Sequence, residues 1–195
     1  MMKKMIFIIS VLISTVGCST NWNFENTGLA EEHFDGNMYK YLKSDSYNWD
    51  SIRLIIERAE LVPLFEGDEA ITFMGPTNHS VRKWMNSQGF TRVNEIEKEV
   101  CIQMVKDHLF AGKILRDDIA WGQPVTQEAG KVYTTLSGKE IWMCVLRDNY
   151  GSVIEGGAKV IYLRGRVATD VASSNIQPTN GVVHSLNYNY VFGSL

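Results

Sequence analysis

At Gly112 the chain changes its hydrophobic period, and this switch constrains the fold more than any other feature of the sequence. Upstream, apolar residues recur at helical spacing: Ile52, Ile55, Ile56 and Ala59 before Pro63, then Val81, Trp84 and Met85, then Ile96, Val100 and Met104. MYKYLKSD reads as a short helix, and Asn48 or Asp50 can cap the next one. Thr77 or Asn78 can cap the helix of PTNHSVRKWMNSQG, and Gly89 falls where a left-handed C-terminal cap belongs. Asn94 and Glu97 have the spacing of a capping box. Between these segments AITFMGPTN is a short apolar strand ending in a turn.

Downstream, KVYTTLSGKEIWMCVLRDNYGSVIEGGAKVIY is rich in Val, Ile, Thr, Tyr and Trp. Ser137-Gly138, Asp148-Asn149-Tyr150-Gly151 and Gly156-Gly157 break it into strands and hairpin turns. RGRVATDVASS adds a strand, and GVVHSLNYNYVF a last one. Helices followed by strands indicate an α+β domain, with N-terminal helices packed on a C-terminal antiparallel sheet or sandwich. No period of 20 to 50 residues repeats, so the chain is not a solenoid.

The first residues follow another logic. Lys3 and Lys4 precede the apolar run Met5 to Val16, and Gly17 and Cys18 follow, the organisation of an export signal over residues 1–17. The run falls short of the roughly 20 apolar residues that a membrane span needs. TVGC resembles the lipobox of bacterial lipoproteins, in which the cysteine carries acyl chains such as palmitate and becomes the new N-terminus. Thr15 stands where Leu is usual in that box, and cleavage elsewhere with an unmodified Cys18 is the alternative. The resemblance implies lipidation of Cys18 and, with Ser19 rather than Asp next, passage to the bacterial outer membrane. Two or three acyl chains would hold the protein there durably. Residues 18–36, polar with isolated aromatics, read as a tether, and residues 37–192 as the folded domain.

Without residues 1–17 the chain keeps 17 basic side chains against 22 acidic ones, a balance of −5. That balance, with no basic block, argues against nucleic acid as a partner. Cys101 and Cys144 sit in apolar settings and read as buried free thiols. The four histidines are scattered, with no zinc-site spacing, and GxSxG, HExxH and phosphate-loop patterns do not occur; the sequence implies no metal and no cofactor.

Four segments together resemble the fasciclin domain. ITFMGPTNHSV is similar to that family's strand-to-helix signature TVFAPTNEAF, and MVKDHLFAGKI to its LLxYHVVxGxL segment. TTLSGKEIWM is similar to its TLxG hairpin, and NIQPTNGVVHSLNYNYV to its closing DIxATNGVIHVIDxVL. The order matches, and the similarity spans roughly residues 37 to 192. It implies structural roles for Thr77, Asn78, His108, Asn180, Gly181 and His184, no catalytic activity, and adhesion or matrix association. Asp107 replaces the family's Tyr, Asn175 and Asn187 replace its Asp, and Ser185 interrupts its apolar run. Integrin binding of the kind ascribed to animal members therefore does not carry over.

The residues themselves favour the same view of His184. Asn180-Gly181 suits a tight turn, and alternation on the following strand puts His184 on the apolar side with Val182, Leu186 and Tyr188. A histidine there is most economically a core residue bonded to backbone. The expected function is that of a non-catalytic module binding a protein or glycan partner, with Trp121, Tyr150, Tyr188 and Tyr190 as candidate rings for stacking on a sugar. The alternative is an accessory subunit of an outer-membrane assembly, such as a polysaccharide-capture complex, without its own ligand. An enzyme would require His108 and His184 to meet in an open pocket beside Asp107.

Overall fold

The chain is described by a computed structural model over residues 32–147, residue 152 and residues 157–195. The expected signal segment, Cys18, most of the tether and Tyr150 lie outside the described residues.

Among the described residues, five α-helices supply the first half. Asn37 caps α1 (Met38–Ser44) by accepting from the Lys40 amide at 2.9 Å. Asp45, rather than the expected Asn48 or Asp50, caps α2 (Ser46–Arg58), accepting from the Asn48 amide at 3.2 Å. Asp50 lies inside the helix and pairs with Arg53. Pro63 does not simply stop α2; it enters the first turn of α3 (Val62–Glu66), where its missing N–H costs no bond. Helix α4 (Asn78–Gln88) ends at Gly89 with φ 79°, the left-handed cap its sequence requires.

The expected Asn94–Glu97 capping box does not form ahead of α5 (Lys98–Asp107). Residues Val93–Glu95 make a 3-10 turn, so the carboxylate within reach of the free amides is Glu95, which accepts from the amides of Thr91 and Arg92 at 2.7 and 3.1 Å.

The strands are β1 (Ile71–Gly75), β2 (Leu109–Ala111), β3 (Gly122–Gln123), β4 (Glu128–Ala129), β5 (Lys131–Thr134), β6 (Glu140–Arg147), β7 (Lys159–Arg164), β8 (Ala168–Ile176) and β9 (Gly181–Leu186). Seven of them form one sheet in the order β2-β1-β9-β8-β7-β6-β5, and β3 and β4 pair apart. The fold is α+β, with one correction to the expected antiparallel sheet: β1 and β9 run parallel, Phe73 facing Val183 in register. This one parallel pair, second and third from the β2 edge, makes the otherwise antiparallel sheet mixed.

The last strand is also shorter than its apolar pattern suggests. Asn187 accepts from the Asn189 amide and donates to Asp170, and the Tyr190 amide bonds back to Asn187, so the chain turns after Leu186. Both margins pack more than the tether-and-domain boundaries predict. The Gln177 amide donates to Glu32 and its carbonyl accepts from Phe34, fixing residues 32–36. At the other end, Ser194 accepts from Arg166 and Leu195 is buried. Residues 32–195 thus form one unit around a core that includes Trp49, Phe65, Phe73 and Phe110.

Candidate functional site

Both signature histidines are buried, and each is committed to structural bonds. His108 caps the C-terminus of α5; its Nδ1–H donates to the Met104 carbonyl at 2.6 Å, and its Nε2 accepts from the Tyr190 hydroxyl at 2.8 Å. That hydroxyl in turn accepts from the Leu195 amide. His184 on β9 donates from Nε2 to the Ile114 carbonyl at 2.9 Å and accepts at Nδ1 from the Asn175 amide at 3.3 Å. Burial lowers the pKa of each ring to about 4, against the smaller opposing influence of the carbonyl that each ring contacts. Both are neutral near pH 7. The two rings share no hydrogen-bond partner.

Asp107, next to His108, points elsewhere. Its carboxylate accepts from Gln103, from the Ser137 hydroxyl at 2.6 Å and from the Lys139 ammonium at 2.7 Å. Lys139 also donates to the Leu195 backbone oxygen. The residue that departs from the fasciclin pattern therefore ties α5 to the β5–β6 hairpin and to residue 195.

Asn180 and Gly181 act through contact rather than through turn geometry alone. The Asn180 side chain accepts from the Met38 amide at 2.7 Å and donates to the carbonyls of Phe65 and Gly67, joining α1, α3 and the start of β9. At Gly181 (φ 157°) a Cβ would lie 1.9 Å from the Ile71 carbonyl oxygen, so β1 can run alongside only a glycine. Thr77 precedes α4 but makes no side-chain cap, and its buried hydroxyl has no hydrogen-bond partner. Asn78 reaches backwards: it accepts from the Ser51 amide and donates to the carbonyls of Ser46 and Tyr47, locking the start of α2 against α4.

The candidate stacking rings divide. Tyr188 is 62% exposed and Trp121 50% exposed. Tyr190 is 2% exposed, a correction to its place among the surface rings: the turn after Leu186 breaks strand alternation and swings it inward onto His108. Tyr150 lies outside the described residues. Cys101 and Cys144 are free and buried, with burial raising both thiols, Cys144 to about 11. Among the described residues no group of three or more His, Cys, Asp or Glu side chains could hold a metal ion, and no helix is long and apolar enough to cross a membrane.

An open groove of about 720 Å³ lies between the start of α2 and the first turns of α4. Tyr47 and Tyr188 line it together with His79, Arg82, Lys83 and Asn86. The His79 ring meets Tyr188 edge to face at 5.8 Å, which orients the tyrosine. A second trough of about 670 Å³ shares Tyr47, Asn78 and Arg82 with the first and extends to Arg92. Sequence reasoning singled out Tyr188 here but missed Tyr47, which is 86% exposed. Its signal was available: an aromatic at the start of α2 that lies off the apolar stripe Ile52, Ile55, Ile56.

A family model described as the fasciclin domain matches residues 48–189, more than half of the chain. A comparison with curated proteins found no match. Among solved structures, a domain pair from the insect cell adhesion molecule fasciclin I is similar at 15% identity with a TM-score of 0.46, covering 81% of this chain. This chain spans 46% of that one.

Proposed function

This chain belongs to the fasciclin-domain family, and on that premise we propose that it is a non-catalytic adhesion module, exported and held on a bacterial outer membrane by acyl chains on Cys18, that binds a protein or glycan partner. The family is adhesion-type and generally non-enzymatic. One observation carries the reading: the chain's buried histidines are both neutral and bonded to backbone or to Tyr190, while the exposed rings of Tyr47 and Tyr188 border an open groove. A catalytic histidine needs access to a reacting atom. Neither ring offers it.

The test joins anchor and binding. Radiolabelled palmitate should enter the full chain and not its Cys18→Ala variant, and wild type should sediment with outer membranes. Displayed on vesicles, wild type should bind saturably to at least one surface in a panel of matrix proteins and polysaccharides. An unlabelled, freely soluble chain would overturn the anchor, and chemical turnover of a panel member would overturn the non-catalytic role.

A second reading, an accessory subunit of an outer-membrane assembly without its own ligand, draws support from the β5 edge. That strand ends the sheet and leaves Val132 half exposed. A stoichiometric complex with a neighbouring outer-membrane protein, broken by Val132→Lys with no loss at the groove, would favour it.

A further inference from the structure

We propose that the groove between α2 and α4 binds an acidic polysaccharide, with Tyr47 and Tyr188 stacking on the sugar rings and Arg82 and Lys83 taking the carboxylates or sulfates. The inference rests on the adhesion reading and assigns its ligand class.

Charge is the first argument. The chain as a whole carries a net charge of −3, yet the groove gathers Arg82 and Lys83, and the trough continuous with it adds Arg92. Among the described residues Arg82 and Lys83 make no ion pair, while the Arg92 charge acts on Glu95, whose carboxylate accepts from the Arg92 amide at 3.1 Å. Asp50, the carboxylate lining the trough, is already held by Arg53 at 2.6 Å. The adjacent Arg82 and Lys83, without an ion-pair partner on an acidic protein, are complementary to an anionic partner. The first turn of α4 adds to this, because no side chain caps it and no acidic residue lies in it.

The rings supply the second argument. Both tyrosines are more than half exposed, and both are held in place: Tyr188 by His79, and the Tyr47 backbone by Asn78. Exposed tyrosine rings offer apolar faces to the C–H face of a pyranose while keeping their hydroxyls in water, and the Tyr188 ring is in addition oriented by His79. Asn86 adds amide donors and acceptors suited to sugar hydroxyls. The lining of the first groove contains no aliphatic side chain to anchor a peptide residue and no strand edge that a peptide could extend; the aliphatic side chains Leu54, Met85 and Val93 line the second trough, away from Tyr188 and Lys83. Two troughs sharing three residues suit a polymer better than a compact small molecule.

The experiment measures binding of the full chain, in detergent, to alginate and polygalacturonate by titration calorimetry. Dextran serves as the neutral polymer, poly-glutamate as the acidic peptide, and free sulfate as the bare ion. The proposal expects saturable polyuronate binding that weakens about tenfold in Arg82→Gln/Lys83→Gln and again in Tyr47→Ala/Tyr188→Ala, and that falls as salt rises. Circular dichroism and an unchanged urea midpoint exclude misfolding of the variants.

Polyuronate binding unaffected by either double variant would overturn the proposal. So would poly-glutamate binding of equal strength that ignores the tyrosines, which would identify an acidic protein as the partner, or free sulfate that competes as well as polymer. Absence of polyuronate binding while the displayed chain still adheres to a protein surface would remove the groove's assignment and leave the adhesion reading standing. Absence of both would remove the two together.

Discussion

The Tyr190 hydroxyl donates a hydrogen bond to His108 Nε2 at 2.8 Å, joining residues 82 positions apart in the chain. The bond fixes the histidine as the tautomer with its proton on Nδ1, where it meets the Met104 carbonyl. Phe192 packs against the same ring at 5.3 Å, so the segment after the last strand closes over the end of α5. Tyr190, which the sequence presents as a candidate stacking ring, is instead a structural clasp on His108.

Tyr190→Phe should therefore destabilise the domain by about 1–3 kcal/mol, because it leaves a buried ring nitrogen without a donor while preserving the ring's packing. Chemical denaturation reads this directly. A midpoint equal to wild type would mean that the bond contributes nothing net. Tyr188→Phe, in the same tract but exposed, should leave the midpoint unchanged.

Acid should loosen the fold through both histidines. Their folded pKa values, about 4, lie below the unfolded value near 6.5, so the unfolded chain binds protons first as pH falls. Stability from this source is complete above about pH 6.5 and is lost as pH drops towards 4, by on the order of 3 kcal/mol for each ring. Urea midpoints at pH 7, 6, 5 and 4 give the curve. His184→Gln should reduce its slope between pH 6.5 and 4, and an unchanged slope would show that His184 titrates normally in the folded protein.

Gly181→Ala should cost more than about 3 kcal/mol or prevent folding, since the added methyl would sit inside the radius of the Ile71 carbonyl oxygen and force β1 and β9 apart. Gly89→Ala provides the contrast. A Cβ there meets nothing within 4 Å, and only the left-handed backbone resists, so about 1 kcal/mol is expected. Equal losses at the two positions would contradict the close-approach explanation.

Asn180→Ala should lower stability by about 2–4 kcal/mol by orphaning the Met38 amide and two carbonyls at once. Asn180→Asp should do no better. It retains the acceptor for Met38 but sets carboxylate oxygen against the carbonyls of Phe65 and Gly67. Recovery of wild-type stability in the aspartate variant would show that only the acceptor matters.

Much of this architecture was legible because its causes are local. Gly89 marks a left-handed cap, Ser137-Gly138 marks a hairpin, and the spacing of Val81 and Met85 marks the buried side of α4; each depends on a few neighbouring residues. The parallel pairing of β1 with β9 was not legible, because strand direction is settled by a contact between Phe73 and Val183 across the whole domain. Asn94 and Glu97 had the right spacing for a cap but met a 3-10 turn that handed the role to Glu95. Tyr190 followed strand alternation only until Asn187 turned the chain. The groove escaped for a similar reason: Tyr47 and Tyr188 are 141 positions apart, and they are brought to one groove by long-range contacts such as those of Asn78, which ties α2 to α4.

The central claim is that this protein works by holding a partner and not by transforming it. The most direct measurement displays the full chain on a sensor surface and follows both retention and size of a polyuronate passed over it, for wild type and for Tyr47→Ala/Tyr188→Ala. Saturable retention of unaltered polymer by wild type, lost in the tyrosine variant at equal fold stability, is expected. Shortened polymer in the eluate, or equal retention by both proteins, would contradict it.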